Sequence, residues 1–390
     1  MRPSYYLGVE KLSRIFELGP VRPPSEAYSL LIRATRNCPW NRCQFCNIYK
    51  GSKFELRSVN EILQDIEAAK AISDGIREMA WKMGYGNGVR EVAAMLCSQP
   101  QYGQCVHKVA LWLYAGGKSA FLQDSNTLIM RTPELVQVIS FLRQSFPNLE
   151  RVTTYARSHT SARKSLQELK ELKDVGLDRI HTGLETGYDP LLDYMEKGVT
   201  AEQHIKGGSK VVEAGISLCE YVMPGLGGKK MSREHVEETA RVLNEITPDF
   251  IRLRSLHVRP NMPLWSKLQD GDFKLQTEDE VVEEIRALIE NLQVTSYLKS
   301  DHIINLLMEI EGKMPEDKEK CLNIINKYLS LPDEERLNFR LGKRAGYYQK
   351  LADLADSYKH HKVDEAIKRI NSDGSGDVDE VILRLKDDFI

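Results

Sequence analysis

Residues 32–50 read IRATRNCPWNRCQFCNIYK and carry three cysteines, Cys38, Cys43 and Cys46, in a Cys-x4-Cys-x2-Cys array. The run before it, SLLIRAT (29–35), reads as a buried strand. The array therefore sits in a loop leaving a strand, where α/β folds place their chemistry. Thiolates are soft ligands that select zinc or iron–sulfur clusters. A closed zinc site takes four ligands, yet the next cysteine is Cys97 and the first histidine is His107. Three thiolates on a four-iron cluster leave one iron open, which is what a cluster needs in order to bind a molecule. Phe45, just before the third cysteine, is placed to shield one side of such a centre. On the array alone, zinc and inert thiols stay open beside the cluster.

The rest of the composition sets bounds. With 390 residues, 42% hydrophobic and 28% charged, the chain has enough apolar material for one large domain with an appendage, or for two domains. Formal net charge is −2 and no long basic run occurs, which disfavours a nucleic-acid partner, because phosphate binding needs concentrated positive charge. Seven cysteines spread over this length are not a secreted disulfide framework. The start, MRPSYYLGVE, has no apolar signal core, and no run reaches membrane-spanning length. The expectation is a soluble cytoplasmic protein.

Working outward, strands and helices alternate. Residues 1–28 are a lead-in whose Pro20, Pro23 and Pro24 mark an extended connection. Ser58-Val59-Asn60-Glu61 is a capping box that opens a helix. Residues 73–117 form a mostly helical insertion with a glycine-rich break, ending at Gly116-Gly117. Further strands are predicted at 119–124, 151–155, 178–186, 216–222 and 249–258. Helices opened by Thr132-Pro133, Thr200 and Ser232, and the stretch SLQELKELKDVG, lie between them. Six alternating units imply a parallel sheet with right-handed crossovers and functional loops at the strand C-terminal ends. The fold class expected is α/β, a partial (β/α)6 TIM-like barrel over 29–265. A helical region is expected over 266–390, with Thr277 capping its first helix.

With these segments in view, the chain resembles the radical S-adenosylmethionine (radical SAM) superfamily. Cys43-Gln44-Phe45-Cys46 matches its motif, although the first gap of the family's Cys-x3-Cys-x2-Cys is one residue longer here. The resemblance implies that Cys38, Cys43 and Cys46 hold a [4Fe–4S] cluster whose open iron chelates SAM. Gln123-Asp124-Ser125 takes the place of the family's Gly-Gly-Glu beside the SAM amino group. Glu185 and Thr186, in Gly183-Leu184-Glu185-Thr186, take the strand-end position beside SAM in the coproporphyrinogen-oxidase and methylthiotransferase branches. Gly225 and Gly227, in Met223-Pro224-Gly225-Leu226-Gly227-Gly228, take the position against which adenine packs. Arg157 and Arg254 are candidates for a SAM or substrate carboxylate.

The activity implied is reductive cleavage of SAM to a 5′-deoxyadenosyl radical that takes hydrogen from a small-molecule substrate, with a low-potential electron donor. No acetyltransferase-like or basic RNA-binding segment is visible, which argues against the tRNA-modifying relatives. Two rivals remain: a non-catalytic iron–sulfur or zinc protein for electron transfer, and oxygen-independent coproporphyrinogen III oxidase itself.

Two tail features complete the reading. Residues 300–312 are predicted helical, with Asp301, His302, Asn305 and Glu309 near one face. Residues 371–379 resemble a calcium loop, but Ile382 stands where its bidentate Glu belongs, so they read as a turn between helices.

Overall fold

The computed structural model describes residues 9–372 and 377–387. Its main sheet has eight strands: β1 (Leu30–Arg33), β2 (Ser119–Gln123), β3 (Arg151–Ala156), β4 (Arg179–Glu185), β5 (Ser217–Val222), β6 (Phe250–Leu253), β7 (Tyr297–Lys299) and β8 (Glu311–Lys313). They lie in sequence order across the sheet. Leu30 faces Ala120, Ala120 faces Val152, and Thr153 faces Arg179, all in parallel pairs. The six strands expected from the sequence are therefore the first six of the sheet.

Local chemistry explains the helices between them. Ser58 caps Val59–Lys82, and Glu61 returns the bond to the Ser58 backbone. Ser165 and Glu168 do the same for Leu166–Asp174, and Thr277 and Glu280 for Glu278–Asn291. The insertion consists of the end of the first helix, then Val89–Cys97 and Gln104–Tyr114. It closes at Gly116 and Gly117, whose positive φ values suit residues without a Cβ.

Contact density divides the chain into two compact units. The first takes residues up to Asn41, Tyr49–Thr182 and Lys210–Leu218; the second takes Arg42–Ile48, Gly183–Ser209 and the chain from Cys219 onward.

Three expectations need correction, and one lies partly outside the described residues. Thr132 does not cap its helix: it is the first helical residue, Arg131 precedes it in extended geometry, and the Thr132 hydroxyl donates to Glu168. Residues 266–390 are not purely helical, because β7 adds to β6 in parallel and β8 pairs with β7 antiparallel. Both strands have three residues, too short for a period-2 pattern to register. Residues 300–310 form no helix. Asp301 instead pairs with Arg252 at 2.6 Å, Asn305 accepts from the Ser255 N–H at 2.9 Å, and Glu309 accepts from the Leu351 N–H at 2.6 Å. Of the calcium-like loop, residues 373–376 lie outside the described residues; Ser372 ends one helix and Val378 begins the next.

Candidate functional site

In the first unit, the strand-end residues hold the cysteine loop in place. Asp124 follows β2 and is fully buried. Its carboxylate accepts from Arg33 Nη2 at 2.9 Å, from the Asn37 N–H at 3.2 Å and from the Tyr49 hydroxyl. Burial pushes its carboxyl up, against the pull of Tyr49 and Arg33. Ser125 Oγ donates to the Asn37 carbonyl at 2.9 Å. Asn37 has φ +67, and its side chain donates to the Lys53 carbonyl at 2.6 Å. Asp124 and Ser125 therefore grip the residue just before Cys38.

Gln123 is also fully buried and fully used. It accepts from the Gly19 N–H at 3.0 Å and donates to the Val21 carbonyl at 2.7 Å. Arg157 lies over the Trp40 ring, 5.0 Å from its centroid, in the same loop. Cys38 is free and half-buried, and its Sγ accepts from the Asn41 N–H at 3.4 Å. Gln123 thus ties residues 19–21 to the end of β2, while Asp124 and Ser125 support the loop, and these polar atoms are engaged by the protein.

In the second unit, Cys43 and Cys46 are half-buried and packed along an apolar cluster that includes Phe45, Met195, Met223 and Leu264. Gln44 between them is clamped at both backbone atoms. Its N–H donates to the Met195 carbonyl and its carbonyl accepts from the Leu264 N–H, both at 2.9 Å. Its side chain donates to Glu196 at 2.7 Å. The Met195-Glu196-Lys197 stretch therefore seats the two cysteines. Lys197 Nζ lies 5.5 Å from the Phe45 ring centroid and 3.2 Å from Glu185 Oε1.

Glu185 ends β4 with φ +66, a left-handed turn that is uncommon outside glycine. Its carbonyl accepts from the Met223 N–H at 3.0 Å. Thr186 is fully buried, with Oγ1 2.8 Å from His235 Nδ1. His235 Nε2 lies 3.6 Å from Glu284 Oε1, and the same carboxylate accepts from the Gly225 N–H at 2.6 Å and from the Ser232 hydroxyl. One buried His–Glu pair therefore holds both Thr186 and Gly225. Gly225 has φ +86, and a Cβ on Gly227 would stand 2.7 Å from the Met231 carbonyl oxygen, so these positions suit glycine. Arg254, just past β6, donates its N–H to the Val222 carbonyl at 2.9 Å. Burial and the Arg254 charge hold His302 down to about 4.

Sequence reading missed His235, Glu284 and Glu220, and it took Met195-Glu196-Lys197-Gly198 as part of the family match without giving Lys197 a role. Glu220 on β5 is buried, and neither carboxylate oxygen has a hydrogen-bond partner among the described residues. Burial pushes its carboxyl well above the usual range, Lys197 opposes this and Glu185 adds to it. The one available signal is an acid inside the apolar strand pattern ISLCEYV.

The donor chemistry suits a thiolate-held cluster. Burial pushes the Cys97, Cys105 and Cys321 thiols up and Cys219 is buried, whereas Cys38, Cys43 and Cys46 are all half-exposed. Among the described residues, no three His, Cys, Asp or Glu side chains close on a single ion.

The superfamily model for "Radical SAM superfamily" matches residues 113–243. Those residues carry a radical SAM domain. Enzymes of this superfamily bind a [4Fe–4S] cluster and SAM. Two curated relatives are similar to part of the chain. The tRNA uridine(34) acetyltransferase of Methanocaldococcus jannaschii is 26% identical over 123 residues, 30% of this chain and 22% of that one. Its counterpart in Methanocaldococcus infernus is 24% identical over 127 residues, 31% and 23% of the two chains. The chain thus spans about a fifth of the length of these radical SAM-related relatives. Among solved structures, coproporphyrinogen III oxidase from Escherichia coli aligns with 72% of this chain and 54% of its own, at 14% identity and TM-score 0.43. No helix among the described residues is long and apolar enough to cross a membrane.

Proposed function

We propose that this chain is a cytoplasmic radical SAM enzyme acting on a small-molecule substrate, with Cys38, Cys43 and Cys46 as the ligands of one [4Fe–4S] cluster. The observation that carries the reading is the pairing of this loop with the matched domain that follows it. When bound, the cluster and SAM supply a one-electron cleavage that yields a carbon radical able to take hydrogen from an unreactive carbon.

The chain's own residues do the positioning. Asp124 and Ser125 fix the backbone entering Cys38, and Gln44, held by Met195 and Leu264, fixes the spacing of Cys43 and Cys46. The carboxylate of Glu185, 3.2 Å from Lys197 Nζ beside Phe45, would offer SAM a hydrogen-bond acceptor. Thr186 and Gly225 are held by His235 and Glu284, so the β4 and β5 exits keep a fixed spacing for the cofactor. Gly225 and Gly227 admit the close approach of a flat ring, and Arg157 and Arg254 remain candidates for a carboxylate. Apolar packing on one side of Cys43 and Cys46 shields them in part from water.

The test is anaerobic reconstitution with iron and sulfide, metal counting, and an assay of 5′-deoxyadenosine after adding SAM and dithionite. The expected result is about four irons per chain, with deoxyadenosine formed by the wild type and lost in Cys43→Ala. Tight zinc, or a cluster without SAM cleavage, would support the non-catalytic electron-transfer rival. Oxidation of coproporphyrinogen III would identify that substrate. A second reading, action on tRNA, is favoured by the two partial relatives. It predicts that tRNA raises deoxyadenosine formation, and the chain's net charge of −2 weighs against it.

A further inference from the structure

Within the second unit lies a cavity of about 220 Å³. One wall is Ser255–Val258, directly after the C-terminal end of β6, where α/β folds place binding loops. The first half of helix Glu278–Asn291 and residues 304–307 form two more walls. Helix Asp333–Arg344 and the last described helix, Val378–Asp387, complete it. Most of its lining is aliphatic, including Leu256, Val281, Ile285 and Leu307.

Its charged lining is unbalanced. Arg340, Arg344 and Lys386 line the cavity with two carboxylates, Glu278 and Asp379; Arg340 also lies 4.0 Å from Asp279, which Arg336 holds at 2.9 Å. Arg344 and Lys386 share one oxygen of Glu278, Arg344 Nε at 3.1 Å and Lys386 Nζ at 3.3 Å. Burial opposes ionisation of Glu278, but Lys386 and Arg344 outweigh it and hold the carboxyl at about 2. Arg340 reaches Asp379 at 3.3 Å, and its Nε has no hydrogen-bond partner among the described residues. Burial holds the His257 imidazole down, against its 2.7 Å hydrogen bond with Asp387. The lining therefore carries one positive charge in excess, with a spare guanidinium donor, in a mainly apolar space.

A pocket with aliphatic walls and a few placed polar groups is the usual form of a small-molecule site. We propose that this cavity binds a small amphipathic monoanion, its apolar body against Leu256, Val281, Ile285 and Leu307 and its anionic group beside Arg340. The ligand charge removes the imbalance, whereas a cationic ligand would add to it. The last helix is part of the site, since Ile382, Leu383 and Lys386 line the cavity. This inference stands apart from the SAM reading and needs neither cluster nor SAM.

The experiment is calorimetric titration of the full chain with octanoate and, separately, with octanamide, its uncharged analogue. Saturable octanoate binding is expected, with octanamide at least about tenfold weaker because a charge-assisted bond is lost. Arg340→Gln is expected to weaken octanoate by about tenfold. Leu383 is 46% exposed, so a charged side chain there loses little burial. Leu383→Glu is expected to weaken octanoate and Leu383→Lys to retain or tighten it. Absence of saturable octanoate binding, equal affinity for octanamide, or equal octanoate affinity in the two Leu383 variants would overturn the proposal.

Discussion

Two buried acids at strands of the same sheet show opposite states. Asp124, in the first unit, is completely buried and has Arg33, the Asn37 N–H and the Tyr49 hydroxyl on its carboxylate. Glu220, in the second, is buried as deeply and has no hydrogen-bond partner among the described residues. Sequence position suggests a ligand role for the first and is silent about the second. The difference teaches that a carboxylate at a strand end is not by itself a binding group: its free valence decides. Asp124 has spent its acceptors on the protein, so it builds the site without standing open in it. Glu220 carries an unpaid desolvation cost, which an ionised carboxylate deep in a protein seldom bears.

The largest break of this contrast comes at Asp124. Asp124→Ala removes the partner of Arg33, whose side chain is 13% exposed, and leaves the Asn37 N–H without its acceptor. Breaking a buried pair from one side costs about 3–5 kcal/mol. Glu17 still reaches Arg33 at 2.9 Å, so the lower end, about 3 kcal/mol, is expected in denaturant unfolding. Cluster content after reconstitution should fall with it, because the residue before Cys38 loses its anchor. Unchanged stability would mean that the Arg33–Asp124–Tyr49 arrangement contributes nothing to the fold.

The intermediate effect concerns Glu220 and has the opposite sign. Replacing an unpartnered buried carboxyl by an apolar side chain of similar size removes a desolvation cost, so Glu220→Leu should stabilise the fold by about 1–3 kcal/mol. The pH dependence follows from the raised folded-state value. Below the ordinary value of 4.5 the group is protonated in both states and costs nothing. As pH climbs above that, the unfolded chain releases the proton first, so the folded state binds more protons and stability falls with rising pH. The loss continues until pH passes the folded value. Glu220→Gln should flatten that slope while leaving stability at low pH unchanged, which a series of melts across pH would read. A wild-type slope identical to that of the Gln variant would show that Glu220 has a partner in solution.

These contrasts mark where the sequence is legible. Six of the eight strands can be read because each is a run of apolar residues beside a capped helix, as at Ser58 and Ser165. The cysteine loop is legible because its ligands are neighbours in the chain. The supports of that loop are not, because they come from far away: Asp124 reaches Asn37 across 87 positions, and Gln44 reaches Glu196 across 152. His235 and Glu284 sit on amphipathic helices, where an inward polar residue resembles any other until its partner is known. Strands β7 and β8 escape notice because three residues carry no period, and residues 300–310 imitate a helix by composition while their polar groups bond to other elements.

The smallest structural effect sharpens the comparison at Glu185. Its side chain is 13% exposed and touches Lys197 at 3.2 Å, so it stands between the saturated Asp124 and the unpartnered Glu220. Glu185→Gln keeps the shape and one acceptor. The cost to stability is expected near ~1 kcal/mol, because the amide keeps an acceptor beside Lys197 and loses only the charge assistance of that bond. A carboxylate held by a single ammonium retains acceptor capacity for a ligand, and a charge-assisted bond is about twice as strong as a neutral one. The same change is therefore expected to weaken SAM binding by about tenfold in equilibrium dialysis of the reconstituted protein. A large loss of stability with SAM affinity intact would place Glu185 with Asp124 among the residues that build the site, and leave Lys197 and the β4 exit as scaffold.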